Sequence, residues 1–295
     1  MLDRFIFAAC LLGCSTPALA QQQVAPQGLP EPVRNAAEWM IDQSDPAVRA
    51  AGLVVLDADA LHHRTRLITD LVRETTDGAA MLWLAHSCAV AEIVQECLTA
   101  GLDDAVLEFD GGNLFARLPL HPPERISTLS LESDRESIYY FSLVSAWYDA
   151  LAQNEPDGAN PHERFVQAHA IASAWALPAL FPLIGVCTDP AADLGTIGAC
   201  RRVGQSMTDR REAMLSMILG EALQGRTGSS APSATESPWR SRAECQSRGL
   251  EPVLRSMNEQ QMRDALEMFE RRGELETWGH LAELHGVDCP ASPAN

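Results

Sequence analysis

Apolar positions along most of the chain recur every three to four residues, and runs that alternate every second residue are nearly absent. That period belongs to helices with one buried face. It begins near Ser44-Asp45-Pro46, where cap residues meet a first-turn proline, and Val48, Ala51, Gly52 and Val55 follow at helical spacing. Leu67, Ile68, Leu71 and Val72 repeat it, as do Met81, Ala85 and Cys88, then Ile93 and Cys97. Tyr140, Val144, Trp147, Tyr148 and Leu151 form the broadest stripe, behind Ser133 and Glu136 at capping-box spacing. A further helix is expected after Asn160-Pro161 through Phe165, Ala168 and Ala172, broken or kinked at Pro178 and Pro182. Leu215, Ile218, Leu219 and Ala222 predict one that ends near Gln224. Met262, Ala265, Leu266 and Phe269 predict another, capped by Asn258 with Gln261.

These elements predict an all-α fold of stacked antiparallel helical hairpins, tetratricopeptide-like or an irregular α-solenoid, with a small disulfide-closed C-terminal helical unit. Residues 21–43, rich in Gln and Pro up to Glu38, read as a flexible arm. Residues 44–224 read as the helical repeat-like domain, the Gly/Ser/Thr/Pro-rich stretch 225–237 as a linker, and 238–295 as the C-terminal unit.

The N-terminus adds a compartment. Arg4 precedes a short apolar run from Phe5 to Gly13, and Ala18-Leu19-Ala20 is a small-x-small cleavage pattern, so residues 1–20 read as a signal peptide. Leu11-Leu12-Gly13-Cys14 offers a second reading, a lipobox that would acylate Cys14 and anchor the protein to a membrane. Cleavage after Ala20 is favoured because the apolar core before Cys14 is short. No later segment is long and apolar enough to span a bilayer. The expected location is periplasmic or secreted, with a membrane-anchored lipoprotein as the alternative.

Six cysteines follow that segment: Cys88, Cys97, Cys187, Cys200, Cys245 and Cys289. An even number in an oxidising compartment implies disulfides. Close spacing suggests Cys88–Cys97 and Cys187–Cys200 as clamps across helical turns, and the wider Cys245–Cys289 as a closure of the tail. In the chain-entropy model each stabilises by roughly 2.5–4 kcal/mol. Metal is the competing reading, since His280 and His285 lie near Cys289, but the close Cys-x-x-Cys pair usual for zinc is missing.

Asp77-Gly-Ala-Ala, Asp110-Gly-Gly-Asn113 and Asp157-Gly-Ala-Asn160 each precede a helical segment; the first interval, 33 residues, is close to the tetratricopeptide period, the second is 47, and the full tetratricopeptide consensus is absent. Asn113 and Asn160 are natural N-caps. With the Cys88/Cys97 hairpin and the Cys200-Arg-Arg-x-Gly-x-x-Met207 segment, residues 45–224 resemble a set of exported bacterial α-helical proteins with tetratricopeptide-like stretches. The resemblance implies fold and compartment, and no reaction.

Net charge is −18 and every basic side chain is arginine. Acidity on this scale disfavours nucleic acid as a partner. No candidate catalytic residue or cofactor emerges. His62-His63 reads as solvated surface and His86 as a structural histidine. His162-Glu163 lacks the second histidine of a zinc-protease motif, since Val166 occupies that place, and the His280 to His285 spacing is one residue too long for the inverted motif. The Asp103, Asp104, Glu108, Asp110 run reads as a solvated helix face and a turn, because it lacks the alternation of a calcium loop. Trp83, Trp147 and Trp175 are expected in helix packing, and Trp39 and Trp239 docked beside flexible segments. The leading functional expectation is non-enzymatic protein binding or scaffolding in the cell envelope. The alternatives are a periplasmic inhibitor or immunity protein for a basic effector, and a helical hydrolase or lyase with a dispersed site.

Overall fold

The computed structural model describes residues 29–122, 125–133, 137–154, 160–226 and 238–289. Among them are seventeen helices, one of them a 3-10 turn, and no strand. The signal segment, with Cys14 and Ala20, lies outside the described residues, as do Asp157 and residues 227–237 of the expected linker.

Half of the expected arm is corrected. Helix α1, Glu31–Ile41, buries Val33, Ala36, Ala37, Met40 and Ile41. The Gln and Pro content around it masks a short apolar stripe at three- and four-residue spacing. Helix α2, Pro46–Leu53, starts where Asp45 accepts from the Ala47 N–H at 2.8 Å. The two helices approach closely at Gly52, where a Cβ would lie 2.8 Å from the Met40 Cβ. Short helices α3, Ala58–His62, and α4, Thr65–Glu74, lead to α5, Gly78–Val90. Asp77 caps α5, whose residues Ala79 to Cys88 are buried all round, as befits a helix apolar on every face.

Helix α6, Val94–Thr99, carries Cys97 back to Cys88. Helix α7, Leu102–Phe109, ends at the Asp110-Gly-Gly-Asn113 turn. Asn113 then caps α8, Leu114–Arg117, which continues into the 3-10 turn Leu118–Leu120, and α9 covers Ile126–Glu132. The expected role of Ser133 is corrected: it ends α9, and the next helix, α10, Tyr140–Asn154, begins well beyond it. Glu136, the other half of that expected capping box, lies outside the described residues.

Helix α11, Pro161–Thr188, starts at Asn160, whose side chain accepts from the His162 N–H. It passes through Pro178 and Pro182 without ending, so of the break or kink expected there the break does not occur. Each proline costs one backbone hydrogen bond. Burial along α10 and the Cys187–Cys200 bond at the far end of α11 hold the helix on either side of them. Helices α12, Leu194–Arg210, and α13, Met214–Arg226, form a tight antiparallel hairpin. Its contact point is a glycine pair: a Cβ on Gly204 would lie 2.7 Å from the Gly220 carbonyl oxygen, and one on Gly220 2.6 Å from that of Gly204. Helices α14, Pro238–Ser256, α15, Glu259–Arg272, and α16, Glu274–Leu284, complete the chain, and α15 opens with the Asn258/Gln261 capping box that the sequence predicts.

The cysteines are joined as their spacing suggests, in Cys88–Cys97, Cys187–Cys200 and Cys245–Cys289, at separations of 9, 13 and 44 residues. Such bonds suit an oxidising, non-cytoplasmic compartment. The C-terminal helices share the main core rather than forming their own: Phe269 stacks on Phe141 with centroids 4.6 Å apart, and one apolar cluster runs from Val33 to Ala282. Helix α10 is the hub. It touches α1, α2, α11 and α15, so contacts join elements far apart in sequence as well as neighbours. Trp147 of α10 is fully buried and donates its indole N–H to the Ala51 carbonyl at 3.2 Å. No helix among the described residues is long and apolar enough to cross a membrane.

Candidate functional site

Four polar groupings carry the chemistry that the fold assembles. The first is a carboxylate interlock around two tight junctions. Glu212, between α12 and α13, accepts from the Ser137 hydroxyl at 2.9 Å and from the backbone N–H groups of Ile138 at 3.2 Å and Tyr140 at 3.1 Å. It thereby caps α10 from another part of the chain, the task the sequence assigns to Ser133. Glu274 repeats the device, accepting from the Met214 N–H at 2.6 Å and from the Trp278 indole at 3.2 Å, so it caps α13. The junctions are tied directly, since the Glu274 N–H donates to the Glu212 carbonyl at 3.0 Å. Arg211 and Gly273 turn the chain there with φ of 54° and 77°. Burial pushes both carboxyls above their ordinary range, against the hydrogen bonds they receive. Asp110 and Asn113 brace the same region: the Tyr139 hydroxyl donates to Asp110, and the Asn113 amide donates to the Ser137 carbonyl.

The second grouping corrects the expected solvated acidic face. Asp103 accepts from Arg117 Nε at 2.8 Å and meets His121 Nε2 at 2.9 Å, while Arg117 also donates to Glu132 at 2.9 Å. Arg117 is buried, and only Asp104 and Glu108 of the run face solvent. His121 Nδ1 meets Arg125 at 3.1 Å, so both ring nitrogens are engaged and neither is available as a base.

The third brings together residue types that hydrolases use. The Tyr140 hydroxyl lies 2.5 Å from Ser173 Oγ and 3.1 Å from His169 Nδ1. Burial lowers His169 to about 4 and raises Tyr140 far above its usual value. Ser173 Oγ is 3.5 Å from the imidazole, so its short bond is to the phenol. Ser173 also lies inside α11, where backbone N–H groups are spent on the helix and cannot form an oxyanion hole. Phe141 and Phe165 flank the imidazole. The arrangement is a satisfied core network. His86 is likewise buried and neutral, lowered to about 4 by burial, with its ring edge against Trp175. His86 Nε2 and Trp83 Nε1 are buried with no hydrogen-bond partner.

The fourth is open to solvent. A cleft of ≈ 710 Å³ lies between the α12–α13 junction, α14, the end of α15 and α16. Arg211, Arg242 and Arg272 line it, and none has an ion-pair or hydrogen-bond partner for its side chain among the described residues. Several other arginines are neutralised, as in Arg49–Glu74, Arg64–Glu38, Arg164–Glu259 and Arg240–Glu221. Gln246 forms part of the floor. It is 5% exposed, and its carboxamide has no partner among the described residues. Trp239 forms one wall, held by its indole N–H to Glu221 at 2.7 Å and by the Arg240 guanidinium over its ring. Asp209, Glu276 and Glu283 line the same cleft and are exposed, as the arginines are. A second cavity of ≈ 590 Å³, reaching Ser137 and Phe141, shares Arg210 and Arg272 with the first. The interlock positions this site, because Arg211 and Gly273 are its turning points.

Of the residues singled out from sequence, the cysteines are spent in disulfides, so Cys289 is no metal ligand. His62, His63 and His285 are exposed, His280 edges the cleft, and no group of His, Cys, Asp and Glu among the described residues could hold a metal ion. The cleft arginines are missing from the sequence reading. Their signal is the two pairs Arg210-Arg211 and Arg271-Arg272 at helix ends, which become a site only when α12 and α15 end side by side. Comparison with known proteins finds no matching family model, no matching curated protein and no matching solved structure.

Proposed function

We propose that the chain is a non-enzymatic binding or scaffold protein of the cell envelope, periplasmic or secreted, or tethered through Cys14. One observation carries this reading: the open site is equipped for recognition, while the groupings with catalytic residue types are closed on themselves. Arg211, Arg242 and Arg272 line, without direct ion pairs, a cleft whose volume is that of a ligand site. The Tyr140–His169–Ser173 and Asp103–His121 groups satisfy each other instead. The three disulfides support a location outside the cytoplasm, and the all-helical fold is compatible with the stacked hairpins that serve as binding scaffolds in repeat proteins.

The test is affinity capture from envelope extract with the oxidised full chain as bait, followed by mixing the purified components. The expected result is one protein that forms a defined complex in analytical ultracentrifugation. Reproducible recovery of no partner contradicts the reading. The strongly acidic surface favours a second reading, an inhibitor of a basic effector, because complementary charge speeds association. In that case the captured partner is basic and its activity is lost in the complex.

A further inference from the structure

We infer that the arginine cleft takes an extended peptide segment of a partner protein, one that carries carboxylates separated by apolar residues. The inference rests on the binding reading above and names the chemistry of its ligand. Four arginines against three carboxylates in the lining leave one formal positive charge on a chain of net charge −18, and three of those guanidinium groups have no partner among the described residues. Guanidinium groups pair with carboxylates and phosphates alike, in forked geometry. The rest of the cleft separates these two. Asp209, Glu276 and Glu283 in the same lining repel a ligand dense in phosphate, and the acidity of the chain as a whole repels a flat anionic membrane or a nucleic acid. A peptide with spaced carboxylates pairs with the arginines and sets uncharged groups beside the lining acids.

Two further features fit a peptide. The Gln246 carboxamide offers one acceptor and two donors at the floor, the complement of a backbone amide. Its polar atoms meet solvent in the cleft and hold no partner among the described residues, so a backbone N–H and C=O can replace water there. Trp239 and Leu275 provide apolar surface beside the charges, and the Trp239 ring is already fixed by Glu221 and Arg240. The adjoining cavity extends the path past Arg210 and Arg272, which suits a ligand longer than a compact ion.

The experiment is panning of a random-peptide phage library over the oxidised full chain, with counter-selection on an Arg211→Ala/Arg242→Ala/Arg272→Ala variant. Enriched peptides are then titrated by fluorescence anisotropy. The inference expects a consensus of Asp or Glu interleaved with apolar residues. Replacing those acids by Asn or Gln should weaken binding by about tenfold or more, each single arginine variant by about threefold to tenfold, and salt should weaken it further. Gln246→Ala and Trp239→Ala should each weaken binding while the variants keep the wild-type circular dichroism spectrum. Pyrophosphate should compete poorly. No enrichment, a consensus without acids, retention on the triple variant, or pyrophosphate binding tighter than any peptide overturns the inference. Capture of one envelope partner equally by wild type and triple variant leaves the binding reading standing and removes this ligand. Capture of no partner by either removes the binding reading itself.

Discussion

Arginine has two opposite lives in this molecule. Arg117 is buried between Asp103 and Glu132, its charge cancelled and its N–H groups occupied. Arg211, Arg242 and Arg272 face an open cleft with no partner at all among the described residues. A cation enclosed by its counter-charges has nothing left to offer a ligand, and its value is to hold α7, α8 and α9 together. Cations without direct ion pairs at a cavity wall contribute little to the fold, and their electric field is open to a ligand. Residue type alone therefore says nothing about role; the degree of local satisfaction decides it. The same contrast separates the closed Tyr140–His169–Ser173 network from the open Gln246 carboxamide.

The largest effect expected from this contrast comes from Arg117→Met. It removes the charge-assisted hydrogen bonds to Asp103 and Glu132, whose side chains are 21% and 44% exposed, and a loss of that kind costs roughly 1.5–3 kcal/mol. Urea denaturation should show that loss, and a change below about 1 kcal/mol would mean that the buried network does not hold the fold.

Acid should act next, through the neutral buried histidines. His86 and His169 are lowered from 6.5 to about 4. A histidine depressed in the folded state gives stability that is full above the unfolded value, near pH 6.5, and is lost as pH falls towards 4. At full depression each contributes up to about 3 kcal/mol. Glu212 and Glu274 act with the opposite sign, because a raised carboxyl favours the folded state at low pH and loses that contribution as pH rises. His86→Leu removes one depressed group and the unpartnered Nε2. Its stability should fall less between pH 6.5 and 4 than that of the wild type, and an unchanged slope would count against a buried neutral His86.

Gly273→Ala tests the interlock beneath the cleft. The residue has φ of 77°, and a Cβ would lie 2.6 Å from the Arg211 carbonyl oxygen. Backbone strain and overlap should cost roughly 1–3 kcal/mol and should also weaken any ligand that needs Arg211 and Arg272 in register. Thermal melts should show this loss. The smallest effect on stability is expected in the cleft itself, where Arg211→Ala, Arg242→Ala and Arg272→Ala should each stay within about 0.5 kcal/mol of wild type.

Local patterns in the sequence reveal much of this architecture. Asp45, Asn113, Asn160 and the Asn258/Gln261 box cap the helices their positions suggest, because a cap needs only its own next turn. The disulfides follow from spacing because each of the two shorter loops spans one turn between helices. Long-range polar contacts escape such a reading. Glu212 takes over the cap expected of Ser133 from a distant segment, and Asp103 is enclosed by Arg117 although its own run looks solvated. Helix α1 is concealed by the Gln and Pro around it, and α11 outlasts two prolines through contacts with other helices. The cleft depends on three helix ends meeting, which no single stretch encodes.

The central claim is that charge satisfaction separates the scaffold from the site. It is tested most directly by urea denaturation of wild type, Arg117→Met and the Arg211→Ala/Arg242→Ala/Arg272→Ala variant under one buffer condition. The account predicts that the single buried change lowers stability by roughly 1.5–3 kcal/mol, while three simultaneous changes in the cleft together lower it by less than that, no more than about 0.5 kcal/mol for each. A triple variant that unfolds as readily as Arg117→Met would contradict it, since the cleft arginines would then be part of what holds the fold.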